Sequence, residues 1–77
     1  MVTEDWVRFA EGVAPEVAWE CVEDGLGNLI LIASRPEPRE RPVHLAMPVG
    51  GPQSTPVAES AEGIRALAED VKLLRVA

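Results

Sequence analysis

The chain has 77 residues, one histidine, one cysteine and a formal charge of −6, from 13 acidic against 7 basic side chains. Acidity disfavours binding to phosphate backbones, which depends on Lys and Arg displacing counterions, so no direct nucleic-acid ligand is expected. A lone cysteine makes neither an internal disulfide nor a paired-thiolate zinc site, and no second histidine is there to share a metal, so no cofactor is expected either.

The length suits one domain, 1–77, with a core of modest size. Met1 to Asp5 carry no basic leader, and the longest apolar run is far shorter than the ~20 residues a membrane span needs. The expectation is a cytoplasmic protein without membrane contact. Abundant Ala, Val, Arg, Glu and Pro lean toward coding from a GC-rich bacterium or its phage.

Taken in order, Thr3 reads as an N-cap before Glu4 and Asp5, and Trp6, Phe9, Ala10 and Val13 recur at helical spacing until Gly12 and Pro15 stop the helix. From Val17 to Cys21 the pattern alternates, with Val17, Trp19 and Cys21 against Ala18, Glu20 and Val22, as in a half-solvated strand. Asp24-Gly25-Leu26-Gly27-Asn28 supplies turn residues suited to positive φ. The unbroken apolar run Leu29-Ile30-Leu31-Ile32-Ala33 then reads as a second strand that asks for cover on both faces.

The stretch Pro36 to Pro42 is too rich in proline for a helix or a central strand to be expected. With Arg35, it places Arg39 and Arg41 in the only locally basic spot of the chain, suited to a carboxylate-rich partner. Val43, Leu45 and Met47 alternate with Pro42, His44 and Ala46, and prolines at both ends suit an edge strand. Gly50 to Gln53 form a loop. Thr55 followed by Pro56 is a helix start signal, and Ile64, Leu67, Ala68, Val71 and Leu74 trace one apolar stripe beyond it. Gly63 weakens that helix and leaves open a second start capped by Ser60.

These elements predict a small α+β domain: a three-stranded antiparallel sheet in the order 1-2-3, with a short N-terminal helix and a longer C-terminal helix packed on it. The C-terminal helix is expected on one face of the sheet. The other face is left to the N-terminal helix, or to a second protein chain. Trp19 is expected as the core anchor under the C-terminal helix, and Trp6 as either core or interface.

Catalytic chemistry is poorly provided for. Cys21 and His44 could make a nucleophile–base pair, but an alternating strand turns Cys21 inward with Trp19 while His44 points away from Leu45 and Met47. Gly50-Gly51 ahead of a helix start is the one anion-site pattern, without a following Walker lysine. The function predicted is therefore a non-catalytic protein-interaction module, not an enzyme, acting as a homo-oligomer or as a small regulatory or adaptor partner. Its candidate interface comprises Trp6, Leu29, Ile30, Leu31, Ile32, Arg35, Arg39, Arg41, Val43, Leu45 and Met47. The alternatives are an acidic inhibitor imitating nucleic acid, and a small-ligand site between subunits. A short sheet followed by an amphipathic helix is similar in outline to many small antitoxin, adaptor and phage accessory proteins, and no residue motif ties the chain to one of them.

Overall fold

A computed structural model describes residues 2–35 and 44–73. The first helix, α1 (Val2–Val13), begins before Thr3, which therefore lies inside its first turn with Glu4 and Asp5. It buries Trp6 and Ala10, four residues apart on one face. The helix stops where Gly12 and Pro15 predict, and a tight turn follows, with Ala14 N–H donating to the Ala10 carbonyl at 2.8 Å and Val17 N–H to the Ala14 carbonyl at 3.5 Å.

Strands β1 (Ala18–Glu23) and β2 (Leu29–Ser34) form the predicted hairpin, and β3 (His44–Gly50) pairs antiparallel with β2 to give the order β1-β2-β3. Of the two loop glycines, only Gly27 takes a positive φ, 83°. Val43 and the rest of the proline-rich stretch fall outside the described residues. β3 runs to Gly50, three residues beyond the predicted end at Met47, and passes through Pro48.

The hydrogen-bonding phase of the sheet explains how β3 tolerates a proline. Asp24 N–H donates to the Asn28 carbonyl at 2.8 Å, which marks Asp24 and Asn28 as a bonded pair. Bonded and non-bonded pairs alternate along an antiparallel ladder. With the observed register, Val22–Ile30 and Glu20–Ile32 are then bonded pairs, and Leu31–Met47 and Ala33–Leu45 are bonded across the next interface. Pro48 therefore turns its nitrogen outward, where no N–H is needed.

The last helix, α2 (Ser60–Leu73), starts at the second of the two predicted places. Thr55-Pro56 does not open a helix: residues 51–59 form a connection with a turn closed by Ser54 N–H on the Gly51 carbonyl at 2.9 Å. A strand ending at Gly50 must carry the chain back over the sheet before α2 begins, and that span outweighs a local start signal. Ile64, Ala68 and Val71 are buried and Leu67 half-buried, as the stripe predicts. Gly63 has a packing role: a Cβ there would lie 3.2 Å from Met47 Cε, so the glycine lets α2 settle closely on β3.

Both helices occupy the same face of the sheet. α1 lies along β1, α2 lies along β3 and β2, and the two helices touch each other. One core group joins Trp6, Ala10, Leu29, Leu31 and Ile64; a second joins Ala14, Val17, Ala33, Ala68 and Val71. The expectation that α1 could shield the far face is thereby corrected. The four-residue turn after α1 is too short to carry the chain around the sheet edge, and Trp6, Ala10 and Val17 all find burial on the α2 side. Trp19 is likewise placed differently from its expected position under α2. It lies half-buried beside α1 and donates from Nε1 to the Ala14 carbonyl at 2.8 Å, satisfying a carbonyl just past the helix end.

Candidate functional site

Burial alternates along each strand and separates the two faces of the sheet. Trp19, Cys21, Leu29, Leu31, Ala33, Leu45, Met47 and Val49 face the helices. The opposite parity, with Val22, Ile30, Ile32, Ala46 and Pro48 at its centre, has no helix over it among the described residues. Ile30 and Ile32 are half-buried, and Val22 is 36% exposed. Glu20 lies beside Ile32 on β1, while His44 lies on β3 at the Ser34 end, so the apolar centre has an acid on one edge strand and an imidazole on the other.

This placement sorts the predicted interface residues. Trp6, Leu29 and Leu31 are 2%, 0% and 0% exposed and belong to the core. Leu45 and Met47 are half-buried on the helix side. Ile30 and Ile32 lie on the open face. Arg39, Arg41 and Val43 lie outside the described residues.

Arg35 has a structural partner that periodicity could not show. Its Nε donates to the Val71 carbonyl at 2.9 Å and a terminal nitrogen donates to the Lys72 carbonyl at 3.2 Å. A guanidinium thus satisfies two carbonyls in the last turn of α2 and sits at the negative end of its dipole. Nearby, Lys72 Nζ lies 3.1 Å from Glu16 Oε1 and 2.8 Å from Glu69 Oε1, tying the α1–β1 turn to α2. The Glu69 and Glu16 carboxylates hold the Lys72 ammonium above its ordinary pKa. Glu16 falls below the usual carboxylate value, first through a backbone hydrogen bond and then through Lys72.

The chemical alternatives find no assembled site. Cys21 faces the helices from β1, and His44 faces the other way from β3 with β2 between them, so they form no dyad. Burial pushes the Cys21 thiol up, away from a reactive thiolate. Among the described residues no group of three or more His, Cys, Asp or Glu side chains could hold a metal ion. The Gly50-Gly51 pair is separated from the start of α2 at Ser60, and Gly50, at φ 109°, serves a close approach instead: a Cβ there would lie 2.5 Å from Ser54 Oγ. Among the described residues no helix is long and apolar enough to cross a membrane.

A groove runs along the outer edge of β1, between that strand and α1. Glu4, Val7, Arg8 and Glu11 form its helical wall, and Trp19, Glu20 and Cys21 its strand side, around a volume of about 480 Å³. It continues past Glu11 and Trp19 toward Pro15 at one end. At the other, a cleft bounded by Thr3, Glu23 and Pro52 extends it. The signal for this groove was absent from the periodicity, because the sequence does not say that α1 lies beside β1.

Comparison with protein-family models, with curated proteins and with solved structures finds no match for this chain.

Proposed function

We propose that the protein is a non-catalytic protein-interaction module, working as a homo-oligomer or as a small regulatory partner of a larger protein. The observation that carries this reading is a sheet face that no described helix covers: two isoleucines of the central strand, flanked by Val22, Ala46 and Pro48, with both helices on the other side. Contiguous apolar surface on a small acidic protein marks a contact area more often than a solvated one.

A second copy fits this face. Two such sheets packed face to face about a twofold axis along the strands would lie ~10 Å apart and bring Ile30 and Ile32 onto their counterparts. The same rotation lays β1 of one copy over β3 of the other. Glu20 of one copy then lies over Ala46 of the other, and Ala18 over His44, so the polar groups stay at the border of the apolar centre.

The test is absolute mass by size-exclusion chromatography with light scattering, at low salt and at ~0.5 M salt. A dimer or larger species that survives salt is expected, and Ile30→Asp and Ile32→Asp should both abolish it while the circular dichroism of the fold is retained. Association unchanged in both variants would overturn the assignment of this face. A monomeric protein would transfer the face to a different partner, sought by pull-down with Ile32→Asp as the control.

A further inference from the structure

The edge of β1 carries a second inference, independent of the open face. From the Asp24–Asn28 bonded pair and the observed register, Ala18, Glu20 and Val22 direct their backbone groups to β2. Trp19, Cys21 and Glu23 consequently direct their N–H and C=O groups outward. Among the described residues no hydrogen bond reaches these outward groups: the Trp19 bond to Ala14 comes from its indole. An unpaired row of this kind is a template for another strand.

The two edges of the sheet differ. On β3 the outward row is His44, Ala46 and Pro48, and the proline removes one donor from it. On β1 the row is uninterrupted and α1 stands beside it, leaving a groove along the strand into which an extended chain fits between helix and edge. The groove carries Glu4 and Glu11 on the helix, Glu20 on the strand and Glu23 at one end, against Arg8.

We propose that β1 and α1 form an acceptor groove for an extended, basic segment of a partner protein, which adds to the sheet as a fourth strand next to β1. Main-chain hydrogen bonds to Trp19, Cys21 and Glu23 hold the segment, and alternate side chains are sorted to the two faces. Those on the helix side meet Val7 and the Glu4 and Glu11 carboxylates. Those on the open side meet Glu20. Successive side chains point to opposite faces, so a segment with lysine or arginine at neighbouring positions, one of each parity, matches the groove on both faces. A second copy is the poorer occupant, since pairing β1 with itself brings the same four glutamates together on a chain already at −6.

The experiment uses the whole protein, isotopically labelled for amide NMR, and a capped peptide of about ten residues in which lysine pairs alternate with valine pairs, so that both faces of the strand carry lysines. In the free protein, the amides of Glu20 and Val22 should exchange slowly and those of Trp19, Cys21 and Glu23 fast. Added peptide should slow the latter three by roughly tenfold or more. An analogue N-methylated at alternate residues should fail to do so, and Glu11→Lys with Glu20→Lys should weaken binding by about tenfold or more. Ile32→Asp should leave it unchanged, which separates this groove from the open face. Three results would overturn the proposal: equal binding of the N-methylated peptide, which means attraction of charges without strand addition; slow exchange of the three amides in the free protein, which means the edge is already paired; and no change at these amides with millimolar peptide.

Discussion

Asp24 closes the hairpin loop with a single carboxylate. Its Oδ1 accepts from Leu26 N–H at 2.8 Å and from Asn28 N–H at 2.9 Å, and its Oδ2 accepts from Asn28 Nδ2 at 3.3 Å. The Asn28 and Leu26 backbone bonds favour the charged form and hold its pKa below the ordinary value. A carboxyl lowered in the folded state stabilises that state fully above its unfolded pKa, about 3.9, and the contribution is lost as pH falls through the lower folded value. Asp24→Asn should therefore lower the melting temperature at pH 7 and flatten its decline between about pH 5 and pH 2. A pH profile parallel to that of the unaltered protein would show that these bonds contribute nothing to the linkage. At this scale the turn chemistry was legible, since Asp followed by glycines has few other uses. The indole bond of Trp19 to Ala14 and the guanidinium bonds of Arg35 to α2 were not. They join groups whose proximity follows from packing, and no local pattern records it.

Elements were legible in kind and less so in extent. Both helices, all three strands and the antiparallel order agree with periodicity, because apolar spacings of 3.6 and 2 report which residues share a face. The misplaced boundaries share a cause: α2 starts late, and β3 passes through Pro48, because the path of the chain and the phase of the ladder override local signals. Gly63 illustrates the balance between propensity and fit. Alanine there should gain about 1 kcal/mol of helix propensity, offset by a Cβ close to the Met47 methyl. Met47 is half-buried and its side chain is flexible, so it can yield. Gly63→Ala should accordingly stabilise the protein by up to about 1 kcal/mol in urea unfolding, and Gly63→Val should destabilise it. Destabilisation by alanine would mean that Met47 is held rigidly between α2 and β3.

The whole molecule is a two-layer arrangement, with two helices side by side over a three-stranded sheet and nothing described beneath it. Adjacent residues of β2 should therefore differ sharply in energetic weight. Leu31→Ala removes a side chain that is 0% exposed and should cost about 2–5 kcal/mol, whereas Ile30→Ala, measured by urea unfolding at low protein concentration, should cost about 1 kcal/mol. Equal costs would show that the open face is covered even in the isolated chain. Neither the existence of the doubly apolar strand nor its central position required coordinates, since a strand with apolar residues at both parities belongs between two others. Which parity the helices cover could not be read there: Leu29 and Leu31 are chemically nearly equivalent to Ile30 and Ile32, so hydrophobicity expresses no preference between them. That choice falls to long-range geometry. The short turn after α1 keeps the helix on the side where Val17 is buried, Trp19 and Lys72 fasten that turn, and Gly63 admits α2 on the same side, so Ile30 and Ile32 fall on the face that no described helix covers.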